Sequence, residues 1–94
     1  MGLRLYTQPR CGWCDMMKNM LEEIGQQYSL IDISQDPAGL AYMKTKGHTT
    51  VPQLYWNGSW VNDNISTADL DSSSLSKRIE RSQNSERSAG FNGA

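Results

Sequence analysis

The pair of cysteines in C-G-W-C, Cys11 and Cys14, constrains this chain more than any other feature because of where it lies. The residues before the pair, Leu3–Thr7, alternate aliphatic side chains with other types, which predicts a β-strand. After the pair, apolar residues recur at spacings of three and four from residue 16 to residue 24, which predicts a helix. At such a junction a C-x-x-C motif is a structural clip, a pair of metal ligands or a redox centre.

Size and composition bear on the first of these three interpretations. The chain has 94 residues and a formal net charge of −1, so we expect one small domain that does not bind nucleic acid. No apolar run reaches the roughly 18 residues that span a bilayer, and the N-terminal residues lack the apolar core of a signal peptide. We therefore expect no membrane association and a cytoplasmic location, where a permanent structural disulfide is not expected.

Metal binding requires more ligands than the two cysteines supply. A structural zinc ion takes four ligands, and the sequence has neither a second C-x-x-C nor a Cys/His pair. His48 is the only histidine, and its place in a Gly-His-Thr-Thr loop predicts a solvated residue rather than a ligand. We therefore expect no metal site and interpret the cysteine pair as a redox centre.

The position of the two cysteines predicts different roles for them. The first turn of a helix has free backbone N–H groups and the positive end of the helix dipole, and both stabilise a thiolate. An ordinary thiol has a pKa of about 8.5 and is only a few per cent ionised at pH 7, so such stabilisation matters. Cys11 precedes the helix, where solvent can reach it, whereas Cys14 is expected to be enclosed. We therefore predict Cys11 as the attacking thiolate and Cys14 as the resolving thiol.

The rest of the chain predicts an α/β domain. A second strand is expected over residues 27–33, and Asp36 is expected to cap a second helix. A third strand, Gln53–Trp56, leads through an Asn-Gly turn into a fourth, and residues 66–79 have the pattern of a last helix that begins at a Ser-Thr cap. The order β-α-β-α-β-β-α predicts a four-stranded mixed sheet flanked by three helices.

The composition changes after residue 81. From residue 82 onward the chain consists mainly of Ser, Asn, Gly and charged residues, with Phe91 as the only large apolar side chain. Such a segment buries too little apolar surface to offset the entropy lost on ordering it. We therefore expect a folded domain over residues 1–81 and a disordered polar tail over residues 82–94.

Two motifs together resemble one protein family. Y-T-Q-P-R-C-G-W-C lies near the N-terminus, and T-T-V-P-Q-L-Y-W-N-G follows about 35 residues after it. Their order and spacing resemble the glutaredoxin family of the thioredoxin fold over roughly residues 3–80. The resemblance implies a thioredoxin-like fold in which Pro52 is cis and lies against the cysteines. It also implies that Thr50, Val51 and Pro52 position a peptide-like substrate, with the Val51 backbone pairing with the cysteinyl part of glutathione.

The chain departs from the family pattern around the first motif. It has Gly12 and Trp13 where glutaredoxins usually have Pro-Tyr, and Trp13 keeps an aromatic face for a tripeptide. Many members carry a lysine three residues before the first cysteine as a partner for a glutathione carboxylate, and that position is Gln8 here. Three cations are candidates to replace it: Arg10, Lys44 and Lys46.

A further departure follows the last strand. Glutaredoxins usually have Gly-Gly and then an acidic pair there, and this segment holds the γ-glutamyl end of glutathione. The present chain has V-N-D-N-I-S-T over residues 61–67 instead. Asp63, or the N-terminus of the last helix near Ser66 and Thr67, is the expected substitute.

The resemblance implies a dithiol oxidoreductase that reduces protein disulfides or glutathione mixed disulfides. Cys11 attacks the disulfide, Cys14 or glutathione resolves the mixed disulfide, and glutathione as co-substrate regenerates the dithiol. Such a protein is expected to be a monomeric electron carrier in cell redox homeostasis. Ribonucleotide reductase is a candidate partner.

Two alternatives stay open. The missing Gly-Gly element allows recycling by an enzyme of the thioredoxin-reductase type instead of glutathione. The second alternative is a [2Fe–2S] cluster carrier, because family members without the proline between the cysteines can bridge a cluster between two subunits, with one cysteine from each and two glutathiones. This chain has Gly12 in place of that proline, so the cluster carrier remains an alternative.

Overall fold

A computed structural model of the chain describes residues 2–92, and side-chain surroundings are described up to residue 85. A short 3-10 helix, Thr67–Asp69, precedes the last helix. Within residues 2–92, no helix is both long enough and apolar enough to cross a membrane. The main elements follow the predicted order: β1 (Leu3–Thr7), α1 (Gly12–Glu23), β2 (Tyr28–Asp32), α2 (Pro37–Thr45), β3 (Gln53–Trp56), β4 (Ser59–Trp60) and α3 (Ser72–Asn92).

The four strands form one mixed sheet in the order β2-β1-β3-β4. β1 runs parallel to β2 and antiparallel to β3, so that Leu5 lies between Leu30 on one side and Leu54 on the other. β3 and β4 form a hairpin, and Asn57 and Gly58 in its turn have φ values of 46° and 86°. Positive φ at both central residues is what the tight hairpin turn requires, which confirms the predicted turn. The predicted fold class is confirmed.

The helices cover both faces of this sheet. Successive residues of a strand point to opposite faces, so Leu5 and Tyr6 belong to different clusters. On the face covered by α1 and α3 lies the aliphatic core, formed by Leu3, Leu5, Met17, Met20, Leu21, Leu54, Val61, Leu70, Leu75 and Ile79. On the α2 side lies the aromatic cluster, in which the rings of Tyr6, Tyr42 and Tyr55 contact one another at centroid distances of 5.3–6.0 Å.

The last helix begins later than the Ser-Thr cap at residue 66 predicts. Ser66 caps only the short 3-10 helix, because its hydroxyl accepts a hydrogen bond from the Ala68 N–H at 3.2 Å. Leu70 then takes an extended backbone conformation and is buried in the aliphatic core, which interrupts the helix. The cap of α3 is Asp71, whose carboxylate accepts from the Ser74 N–H at 2.7 Å while the Ser74 hydroxyl accepts from the Asp71 N–H at 3.1 Å.

The same helix continues past the boundary predicted at residue 81. Ser82 is only 8% exposed, and its hydroxyl lies 3.3 Å from the hydroxyl of Ser59 at the start of β4. The polar composition of this segment does not predict the contact. A serine can be buried where a second hydroxyl is its hydrogen-bond partner. Residues 82–92 are thus helical where a disordered tail was expected, and residues 93 and 94 of that predicted tail lie outside the described residues.

Candidate active site

The two cysteines lie at the N-terminus of α1 and are joined by a disulfide. The chain turns from β1 towards α1 through Arg10, which has a left-handed backbone with φ 59°. Cys11 is the N-cap residue of α1, and its sulfur accepts a hydrogen bond from the Cys14 N–H at 3.1 Å. The free N–H groups and dipole of the helix are therefore directed at this sulfur, and both stabilise a thiolate there once the disulfide is reduced.

The two cysteines differ in exposure as predicted. Cys14 is 1% exposed, whereas Cys11 is only partly buried. Since thiol–disulfide exchange requires an approach to the sulfur along the disulfide axis, an incoming disulfide can reach Cys11 and not Cys14. We refer to residues 10–14 as the cysteine half of the site.

A second segment, residues 48–53, faces the cysteines and forms the loop half of the site. The Val51–Pro52 peptide bond is cis, as the resemblance implied, and the Val51 carbonyl oxygen lies 4.0 Å from the Cys11 sulfur. The sheet explains why segments about 40 residues apart meet. Gln53 at the start of β3 pairs with Tyr6 near the end of β1, so the residues before β3 lie beside those after β1.

A cleft of about 690 Å³ lies between the two halves and α2. Its apolar side is formed by Ile33, Leu40 and Met43, and Lys44 also lines it. The cleft opens at the carboxyl ends of the parallel strands β1 and β2, where α/β proteins commonly bind ligands. No local sequence pattern distinguishes Leu40 and Met43 as cleft residues, although the same rule points to Ile33, which directly follows β2.

Most of the predicted site residues come together here. Cys14 is buried next to Cys11, and Pro52 is buried next to Val51. Trp13 is 50% exposed, so its ring is accessible to a ligand. The predicted residues that line the cleft are Arg10, Cys11, Trp13, Thr50 and Val51.

Asp63 is not among the residues that line the cleft. It lines a different surface depression, together with residues of β4 and α3. The Arg78 guanidinium of α3 donates hydrogen bonds to the carbonyl oxygens of Val61 and Asp63 at 3.3 Å and 2.9 Å, which holds this loop against α3. Of the three candidate cations, Arg10 and Lys44 line the cleft, whereas the Lys46 ammonium lies over the ring of Tyr42, 5.5 Å from its centroid.

His48 is not the solvated loop residue that the sequence predicted. Its Nε2 atom and the Tyr55 hydroxyl share a hydrogen bond of 2.5 Å, and its ring packs edge-on against Trp60 at a centroid distance of 4.7 Å. The hairpin makes the His48 ring half-buried, because Trp60 of β4 lies opposite Tyr55 of β3. Burial, and then the nearby charge of Lys46, lower the pKa of His48. Burial, followed by the neighbouring tyrosines, raises the pKa of Tyr55 to about 12.

A family model described as Glutaredoxin matches residues 3–61 of the chain. The matched range is 59 of the 94 residues and contains both halves of the site.

Two curated proteins are similar in sequence. The SPbeta prophage-derived thioredoxin-like protein YosR of Bacillus subtilis is 31% identical over 65 residues, which are 69% of this chain and 81% of that protein. The hybrid peroxiredoxin hyPrx5 of Haemophilus influenzae is 27% identical over 60 residues, which are 64% of this chain. The chain spans only 25% of the length of that peroxiredoxin.

Two solved structures show the same fold. The buckwheat glutaredoxin–glutathione complex has a TM-score of 0.55 and 25% identity over 64% of this chain, which spans 58% of the buckwheat chain. The holo form of glutaredoxin C1 from Populus tremula x tremuloides has a TM-score of 0.64 and 18% identity, over 87% of this chain and 78% of the poplar chain. The thioredoxin-like fold implied by the two sequence motifs is therefore confirmed.

Proposed function

The chain belongs to the glutaredoxin family, whose members are thiol oxidoreductases, and from this premise we propose that it reduces protein disulfides or glutathione mixed disulfides at the expense of glutathione. The observation that carries the proposal is the asymmetry of the cysteine pair. Cys11 is reachable and capped by a helix N-terminus, and Cys14 is buried directly behind it. A pair used only as a structural clip gains nothing from such a difference.

The proposed reaction is two successive thiol–disulfide exchanges. The Cys11 thiolate attacks a glutathionylated substrate, a Cys11–glutathione disulfide forms as the substrate disulfide breaks, and the substrate leaves as a thiolate that takes up a proton. The thiolate of a second glutathione then attacks the mixed disulfide, which releases oxidised glutathione and restores Cys11. With a protein disulfide, the Cys14 thiolate instead displaces the substrate and closes the Cys11–Cys14 disulfide, and two glutathiones reduce it.

The chemistry of the cleft supports glutathione as the co-substrate. Glutathione carries two carboxylates, and Arg10 and Lys44 line the cleft on which Cys11 opens. The exposed ring of Trp13 offers an apolar surface beside the sulfur, and the Val51 backbone is within reach of a cysteinyl residue bound to Cys11. The buckwheat glutaredoxin, 25% identical over 64% of this chain, has been solved with glutathione.

The cluster-carrier alternative rests on Gly12. Apart from its two chain neighbours and the backbone of α1, no heavy atom lies within 4 Å of the place that a Cβ atom on Gly12 would take. Among residues 2–92, no group of three His, Cys, Asp or Glu side chains could hold a metal ion within one copy of the chain. The family resemblance implies that a [2Fe–2S] cluster would be held by one cysteine from each of two copies, for which Cys11 is the accessible candidate, and by two glutathiones. Monomeric state, cytoplasmic location and ribonucleotide reductase as partner stay predictions.

A steady-state assay of a glutathionylated peptide tests the proposal. Purified wild-type protein, Cys11→Ser and Cys14→Ser are each incubated with glutathione, glutathione reductase and NADPH. We expect Cys11→Ser to fall to the uncatalysed rate, and Cys14→Ser to keep at least about a third of the wild-type kcat because glutathione can resolve the mixed disulfide. The proposal fails if wild-type protein turns over only with thioredoxin reductase, or if Cys11→Ser stays active. A visible absorption band and dimerisation after anaerobic purification with glutathione support the cluster carrier instead.

A further inference from the structure

Two buried amide side chains lie on either side of the cis Val51–Pro52 bond. On the N-terminal side of the bond, the carbonyl oxygen of Thr50 accepts a hydrogen bond from Gln53 Nε2 at 3.2 Å. The same nitrogen lies 3.5 Å from the Thr50 hydroxyl. After the bond, Asn62 Nδ2 donates to the Pro52 carbonyl oxygen at 3.3 Å. The two side chains are 7% and 5% exposed, respectively. Buried amides of this kind are retained where every polar atom has a partner.

Each amide is oriented by a second contact at its oxygen. The Leu54 N–H donates to Asn62 Oδ1 at 3.0 Å, and the indole N–H of Trp60 donates to Gln53 Oε1 at 2.8 Å. A backbone N–H and an indole N–H can only donate, so each must face the oxygen of the amide. The NH2 group of each amide is thereby directed at the carbonyl of Thr50 or Pro52.

The consequence is that the carbonyl groups on both sides of Val51 are occupied within the protein. No hydrogen bond of the described residues occupies the Val51 N–H, and its carbonyl points to the Cys11 sulfur at 4.0 Å. A substrate with a peptide backbone around its sulfur can pair with the N–H and carbonyl groups of Val51. A small alkyl disulfide has no amide groups and gains nothing from it.

We propose that Asn62 and Gln53 are positioning residues that fix the Val51 backbone for pairing, and that they thereby favour cysteinyl peptides over disulfides without amide groups. This rests on the proposed function, in which a cysteinyl peptide binds across Val51. Asn62 lies in the segment after the last strand, where glutaredoxins usually have Gly-Gly. Neither residue touches the reacting sulfur atoms, so both act through the backbone of the loop half.

The sharpest variants are Asn62→Asp and Gln53→Glu in a Cys14→Ser background. Each keeps the oxygen that accepts from Leu54 or Trp60 and replaces the donating NH2 by a second oxygen, which repels the carbonyl it faces. For a glutathionylated peptide we expect KM to rise about tenfold and kcat to change less than twofold. The rate of Cys11 modification by methyl methanethiosulfonate, which carries no amide, is expected to stay within about twofold, because the cysteine half is unchanged. Asn64→Asp and Gln27→Glu, at exposed positions, are the matched controls for the same chemical change and should leave both measurements unchanged.

An unchanged KM in the folded variants overturns the proposal, and so does an equal loss in the methanethiosulfonate rate, which indicates general damage. If a buried carboxylate prevents folding, Trp60→Phe removes the indole N–H that orients Gln53 while it keeps an aromatic ring beside His48, and KM should rise about threefold. An unchanged KM in Trp60→Phe would then overturn the proposed positioning role. If wild-type protein shows no glutathione-dependent turnover, the proposed function fails on its own. Positioning is then tested by the single-turnover reaction of Cys11 with a cysteinyl-peptide disulfide, in which the variants should still be slower than the controls.

Discussion

The two halves of the active site are supported by different kinds of packing. The cysteine half begins α1, whose buried residues Met17 and Leu21 belong to the aliphatic core. The loop half is held by polar and aromatic side chains, among them the Tyr55–His48 pair and the Trp60–Gln53 pair. Apolar packing does not titrate and has no directional requirement, whereas hydrogen bonds fix orientation and depend on protonation.

Because the two halves are held by different kinds of contact, they contribute to different properties of the protein. Stability of the fold and the position of the nucleophile depend on the aliphatic core, which tolerates changes of pH. The direction of the Val51 backbone depends on hydrogen bonds in the loop half. Mutations in the two halves should therefore affect different quantities, the free energy of unfolding in one case and substrate affinity or pH dependence in the other.

The largest effect is expected for Leu21→Ala. Leu21 is fully buried in the aliphatic core, and such a truncation typically lowers the free energy of unfolding by about 2–5 kcal/mol. Urea denaturation measures this loss. Leu30→Ala is the matched control, because Leu30 is 53% exposed on β2, and it should change stability by less than about 0.5 kcal/mol. A changed KM for glutathionylated peptide in the folded fraction of Leu21→Ala would show that the two halves are not separable.

A smaller effect, with a pH signature, is expected for Tyr55→Phe. The variant loses the hydrogen bond to His48, which should lower the free energy of unfolding by about 1 kcal/mol at pH 7. The folded pKa of Tyr55 is raised from 10.0 to about 12. Stabilisation of the neutral phenol is therefore fully present below pH 10 in wild type and is lost as the pH rises from 10 through about 12.

The difference in stability between wild type and Tyr55→Phe should therefore narrow above pH 10. Urea denaturation at pH 7, 9, 10 and 11 measures it. Tyr42→Phe, in the same aromatic cluster, is the control and should show no comparable narrowing. A difference that stays constant over this range contradicts the role given to the Tyr55 hydroxyl.

The smallest effect is expected for the charge that lines the cleft. Lys44 lines the cleft and Lys46 does not, so Lys44→Gln should raise KM for glutathione about two- to fourfold while Lys46→Gln leaves it unchanged. Added salt should reduce the difference, since an exposed charge pair is screened. Equal effects of the two substitutions would mean that general surface charge, and not the cation at position 44, attracts glutathione to the cleft.

Much of the cysteine half could be predicted because its interactions are local. The N-cap contact of Cys11 joins residues three positions apart, and the apolar spacing of α1 determines which side of the helix is buried. The cis Pro52 and its place near the cysteines came from motif resemblance. The resemblance implies Asp63 as a partner for the γ-glutamyl end of glutathione, but Arg78 of α3, 15 residues further along, holds the Asp63 backbone beside a different surface depression. Such a contact has no signature in local spacing.

The surroundings of His48 also could not be predicted from local sequence. A histidine between Gly47 and Thr49 has the local sequence of a solvated loop residue, and only the pairing of β3 with β4 brings Tyr55 and Trp60 to it. The late start of α3 has a similar cause, because Leu70 leaves the helical path to enter the aliphatic core.

The sequence by itself determined the order of the elements, the mixed sheet and the unequal cysteines, because periodicity, caps and turn residues act over a few positions. Only the tertiary structure decided what orients the substrate-facing loop. Gln53 and Asn62 reach Thr50 and Pro52 through contacts that depend on the register of the hairpin and on the loop after β4. A buried amide has no preferred partner in sequence, and its hydrogen bonds are chosen by the groups that folding places around it.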